Sequence, residues 1–219
     1  SGAALPHAFA PLAAILSVSP LGGVPAPGET LPAPHLRVNT RRAEEGFERR
    51  ITTALAPARA DIVAIERRIE RDGSGRAVAE SWTVRLKPCE TLAIYYDRLD
   101  TVEPSILRRA GGLARFAEIG GPDHIAIETR VRVRAGETLG LAKGFDVGLY
   151  DFAVTPAPME RPERYRANPY AHAAAINAPA SLLAPIAPDV GRARCALDYL
   201  PERLRAGWTA KLGDAWGMR

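Results

Sequence analysis

The sequence predicts a mainly β protein, a sandwich or barrel with short peripheral helices, and three observations carry that prediction. Apolar and polar residues alternate in many short runs. Gly, Pro, Asp and Ser punctuate those runs at turn spacing, and helical patterning is confined to brief stretches. The 219 residues, 47% of them hydrophobic, suffice for one sizeable core.

The elements follow in chain order. Residues 1–34 are rich in Pro, Gly and Ala, with PAPGETLPAP the densest turn signal, and are expected to drape over the core as extended chain. HLRVNT, starting at His35, is the next strand. RRITTALAPARADIVAIERRIER is β-branched and broken at Pro57, and the turn DGSG joins its end to RAVAESWTVRL as a hairpin. In TLAIYYDRL the adjacent Tyr95 and Tyr96 must point to opposite faces of a strand. EPSILRRAGG opens on an acid and a Pro and stops on glycines, which predicts a short helix. HIAIETRVRVRAGETLGLAKGFDVGLYDFAV alternates again. Beyond Asp151 the chain turns irregular until DYLPERLRAGWTAKLGDAW, which predicts one or two amphipathic helical turns. The resulting division is an N-terminal segment 1–34, a β domain 35–155 and an extension 156–219.

The net charge of +4 and the pI near 9.3 raise the question of a polyanionic partner. The cations are nearly all Arg, with Lys only at 87, 143 and 211, and they are interleaved with acids as in RRAEEGFERR. That mixing reads as solvated strand faces, so no nucleic acid is expected. No apolar run reaches the roughly 18 residues of a membrane-spanning helix, so no transmembrane segment is expected. Cys89 and Cys195 show no CxxC or Cys/His spacing, which excludes a zinc knuckle or a thioredoxin motif. They are a disulfide candidate in an oxidising compartment or, equally, two separate thiols. No G-x-S-x-G occurs, and Asp146 and Asp151 lie five apart, hence on opposite faces of a strand and poorly placed as an acid/base pair.

Two similar phrases, ALAPARADIVAIERR and VRVRAGETLGLAKG, resemble the paired signatures of the lysostaphin-type zinc metallopeptidases of peptidase family twenty-three. That fold is the duplicated hybrid motif, a barrel-sandwich in which turn glycines, here Gly136, Gly140 and Gly144, would supply positive φ or close backbone approach. YYDRLDTVEPSIL falls between the phrases, where the family has a Y-HL strand and a short helix. PLGGVPAPGETLPAPH, FDVGLYD and RCALDYLPERL resemble phrases of a group of mostly uncharacterised bacterial secreted proteins carrying this domain.

The resemblance implies a site. The peptidases hold zinc through an HxxxD phrase and the second His of an HxH phrase, leaving a position for the attacking water. Here HLRVN offers His35 and Asn39, a neutral amide in place of the anionic ligand. Aligning HxH on GFDVGL puts Gly144 at the water-activating His and Asp146 at the ligand His. The implied metal set is His35 and Asp146 with Glu29 as a third ligand; the alternative is that His35 and Asp146 are a hydrogen-bonded pair or separate polar residues at strand ends. Groove candidates are Asn39, Tyr95 and Tyr150, with Trp82 and Tyr96 as further stacking aromatics. His7, His124 and His172 lack a partner at ligand spacing and read as surface or turn histidines.

Two functions follow from the resemblance. The first is an extracellular or periplasmic, catalytically degenerate domain that binds a glycan, peptide or protein partner, such as a peptidoglycan fragment, without a cofactor. The second is a zinc-dependent cell-wall amide hydrolase with an altered ligand set.

Overall fold

The computed structural model describes residues 5–21, 33–42, 48–116, 123–155 and 192–213. Glu29 and His172 lie outside the described residues. The described chain is mainly β, built of antiparallel strands in two sheets.

The longest hairpin pairs β4, Ala60–Arg71, with β5, Ala77–Cys89. Its turn is closed by Asp72, whose Oδ1 accepts from the Ser74 amide and hydroxyl and from the Arg76 amide, the local hydrogen bonding that makes Asp a turn residue. The register shifts between Ile62 and Ala64: β4 carries one extra residue against β5, and β8 carries one extra residue against β4. The bulge resets the alternation, so that Ile62 and Ile65, three apart, both face the core.

Around this hairpin the large sheet runs β1-β2-β10-β6-β5-β4-β8, with β11 pairing on β10. The other members are β1 (Ile15–Ser19), β2 (Leu36–Thr40), β6 (Leu92–Leu99), β8 (His124–Val133), β10 (Gly144–Asp151) and β11 (Ala193–Arg194). A smaller sheet orders β3 (Thr52–Leu55), β9 (Thr138–Ala142) and β7 (Thr101–Val102). Part of the N-terminal segment thus enters the large sheet as β1 instead of only draping over it.

The core lies between the sheets. Ile94, Phe145, Val147, Leu149, Val84 and Leu86 point into it from the large sheet, and Ala54, Leu139 and Val102 from the small one. Each large apolar side chain so buried contributes roughly 1.5–3 kcal/mol. Tyr96 is 0% exposed, stacks on Phe145 at 5.8 Å and donates its hydroxyl to the Leu55 carbonyl at 2.6 Å, tying the sheets together. Trp82, 3% exposed, packs edge-on against Phe116. Both aromatics are therefore core and not groove residues, a correction with a simple cause: they share the strand phase of Ile94 and Val84, which point inward.

Gly136 and Gly140 are among the glycines that geometry requires. Gly136 turns the chain between β8 and β9 with φ +79°, and a Cβ on Gly140 would strike the Thr101 carbonyl of the adjacent strand. Helix α1, Pro104–Arg109, starts on its Pro and buries Ile106 and Leu107. Helix α2, Glu202–Thr209, buries Trp208 edge-on against Phe9 at 5.3 Å, so both ends of the described chain join one core. Among the described residues no helix is long and apolar enough to cross a membrane.

Candidate functional site

Strand alternation builds the site on the outer face of the large sheet. β2 turns Leu36, Val38 and Thr40 inward, which sends Arg37 and Asn39 outward; β10 turns Phe145, Val147 and Leu149 inward, which sends Gly144, Asp146, Gly148 and Tyr150 outward. The register pairs Arg37 with Asp146 and Asn39 with Gly144, and Asp146 pairs on its other side with Asp97 of β6. His35, Asn39, Gly144 and Asp146, drawn from sequence stretches about 100 residues apart, thus meet on one face.

Asp146 is the centre of this arrangement. It is 2% exposed, and Arg37 grips both of its oxygens, Nε to Oδ1 at 2.9 Å and Nη2 to Oδ2 at 3.1 Å. This is the two-pronged geometry a guanidinium offers a carboxylate. His35 Nε2 faces Asp146 Oδ2 at 3.5 Å, long for a hydrogen bond, while His35 Nδ1 lies 3.2 Å from the Tyr95 hydroxyl. Burial lowers the His35 pKa, Asp146 partly opposing it, and burial pushes the Tyr95 phenol far above its usual range, with Tyr150 and nearby carboxylates adding to it. The Tyr95 hydroxyl thus lies between the His35 imidazole and Tyr150, and which His35 nitrogen carries the proton sets the direction of the His35–Tyr95 bond.

Tyr95 is held by its surroundings. Its ring lies over Gly148, where a Cβ would collide with it, and stacks on Tyr150 at 5.8 Å with 27° between the planes. Asn39 is equally committed: its Oδ1 accepts from Arg49 Nη1 at 2.7 Å and its amide donates to Ser17 Oγ at 3.3 Å. Arg49 reaches over Gly144, its Nη1 3.9 Å from where a Cβ would stand. Burial and the like charges of Arg42 and Arg37 lower its pKa.

Beside these residues runs a groove of about 580 Å³ lined by cations Arg37, Arg49, Arg68 and Lys143 and by acids Asp97, Asp100, Glu70 and Glu80. Arg98 in its wall has φ +64°, the one non-glycine among the described residues with positive φ. Its amide donates to Asp97 Oδ1, which also accepts from Thr83 Oγ1 at 2.6 Å, and these bonds hold a backbone conformation that is uncommon for a side-chain-bearing residue.

The predicted site residues therefore separate. His35, Asp146, Asn39, Tyr95 and Tyr150 come together, and Glu29 lies outside the described residues. Asp151 is on the opposite face at the strand end, where it accepts from the Tyr199 hydroxyl at 2.6 Å. His124 pairs with Glu66 at the surface, and His7 rests against Gly136. Cys89 and Cys195 are both free thiols. β6 and β10 lie between β5, which ends at Cys89, and β11, which ends just before Cys195. Three interstrand steps amount to about 14 Å, well beyond the roughly 6 Å a disulfide spans.

As they stand, these donors do not fit a zinc site. Both Asp146 oxygens are committed to Arg37, a metal there would have to displace a guanidinium, and among the described residues no three His, Cys, Asp or Glu side chains converge. Sequence reasoning missed Arg37 and Arg49, the residues that decide this. No protein-family model, no curated protein and no solved structure matches the chain.

Proposed function

We propose that this protein is an extracellular or periplasmic, catalytically degenerate lysostaphin-like domain that binds a peptide- or glycan-bearing partner, such as a peptidoglycan fragment, in the groove beside Asp146. The observation that carries the reading is the Arg37 clamp. The carboxylate at the position aligned with a zinc-ligand histidine is neutralised within the chain by a guanidinium. Asn39 and Gly144, aligned with the other ligand and the water-activating base, are spanned by Arg49. A groove carrying both signs of charge suits a ligand with amide, carboxylate and ammonium groups, the inventory of a short peptide.

Metal analysis of the purified full chain tests this reading, with thermal unfolding followed before and after a chelator. The expected result is no stoichiometric zinc and an unchanged melting temperature. A soluble muropeptide is expected to shift the NMR signals of groove residues and to bind more weakly to Arg68→Ala/Lys143→Ala. Stoichiometric zinc whose removal also removes stability would overturn the proposal in favour of the second reading, a zinc-dependent amide hydrolase. That reading draws on the 3.5 Å approach of His35 to Asp146 and requires Arg37 to leave.

A further inference from the structure

A second concavity, of about 1070 Å³, shares no lining residue with the groove beside Asp146. It is assembled from segments far apart in sequence: Arg59 between β3 and β4, Arg109 at the end of α1, and Arg132 and Arg134 leading into the Gly136 turn. Four guanidiniums line it against the single carboxylate of Glu137.

The ion pairs show which cations are spent. Arg109 donates to Glu137 Oε1 at 2.6 Å and to the Arg132 carbonyl at 2.8 Å, so it is held in place across the cleft. Glu137 uses its other oxygen on the Arg134 amide at 2.9 Å. Arg132 makes a two-pronged pair with Asp61, which Arg130 shares. Both nearby carboxylates are thus consumed. Arg59 and Arg134 remain exposed, and among the described residues neither guanidinium has a partner.

The lining also narrows what would bind. Guanidinium forks match the paired oxygens of phosphate or sulfate. The other lining residues are Ala135 and Gly136, so none of the described lining residues carries an aromatic ring on which a nucleobase would stack. The volume exceeds a single oxyanion many times over. We propose that this cleft binds a base-free polyanion, a chain of repeated phosphate or sulfate groups, gripped by Arg59 and Arg134 beside the fixed Arg109. This inference stands independently of the groove reading.

Fluorescence anisotropy on the full chain tests it, with labelled inorganic polyphosphate and a labelled sulfated oligosaccharide as probes and oligo-dT of equal charge as competitor. At least one probe is expected to bind with an affinity that falls as salt rises. Arg59→Ala/Arg134→Ala is expected to weaken binding roughly tenfold or more at an unchanged melting temperature, because two charge-assisted contacts are lost. Arg59→Lys/Arg134→Lys keeps the charge and loses the fork, and is expected to fall between. Arg68→Ala/Lys143→Ala, in the other groove, is expected to bind as the parent does. Tighter binding of polyphosphate assigns phosphate; tighter binding of the oligosaccharide assigns sulfate. The proposal is overturned if neither probe binds, if the alanine double variant binds as well as the parent, if the groove variant loses as much, or if oligo-dT competes equally well.

Discussion

Arg37 and Asp146 are cross-strand partners on β2 and β10, and the guanidinium meets both carboxylate oxygens at 2.9 and 3.1 Å over a carboxylate almost sealed from solvent. Removing one member of such a pair costs more than the pair is worth, since the other charge is left buried. Arg37→Ala is expected to destabilise the protein by about 2–4 kcal/mol in urea unfolding. Arg37→Lys should lose less, and the double change Arg37→Leu/Asp146→Leu should regain most of the loss. A single alanine variant as stable as the parent would show that Asp146 needs no cation.

His35 gives the site a defined pH response. Burial lowers its folded pKa below the usual value of about 6.5. In the interval between the two values the unfolded chain binds more protons, so stability rises with pH there. The contribution is complete above about pH 6.5 and is eroded as pH falls through that interval. His35→Gln, measured by denaturant unfolding between about pH 5 and 8, should flatten this slope while leaving the acid limb set by carboxylates. An identical slope in the variant would remove His35 from the account.

Gly148 is bare because Tyr95 lies across it. Gly148→Ala should push the ring off its Tyr150 stack and away from His35, changing the near-ultraviolet circular dichroism and moving the His35 titration seen by NMR. Overpacking of this kind costs typically 1–3 kcal/mol. Unchanged spectra would mean that Tyr95 is free to swing aside.

The cysteines are expected to titrate as two thiols under denaturing, non-reducing conditions. In the folded protein Cys89 should react first. Its slight burial is outweighed by hydrogen bonds from Thr91 and Leu92 that favour the thiolate, whereas burial raises the half-buried Cys195. Absence of titratable thiol would contradict the strand order that separates them.

Much of the architecture was readable from period-two alternation and turn chemistry: the β4–β5 hairpin, α1 ahead of its glycines and the helical turns near the C-terminus follow the expected pattern. The same alternation places Arg37 between His35 and Asn39 on one face, so it was legible, but a search for metal donors passes over a guanidinium. Trp82 and Tyr96 were legible as core in the same way, from the phase of Val84 and Ile94. Arg49 was not, because no local pattern says that a residue beyond β2 will fold back onto Asn39. Nor were the bulge that turns both Ile62 and Ile65 inward and the left-handed Arg98, which are settled by the partner strands and by the Asp97 hydrogen bonds.

The contact between Arg49 and Asn39 bears on whether a metal site could be engineered into this groove. A change of Asn39 to Asp would put a carboxylate 2.7 Å from a waiting guanidinium. The new anion would form a second internal ion pair instead of a vacant metal ligand. A histidine at Gly144 would grow toward the same Arg49 side chain. Introducing ligands one at a time therefore adds to the arginine pairing, and an engineered metal site would have to remove the arginines before the ligands could do anything.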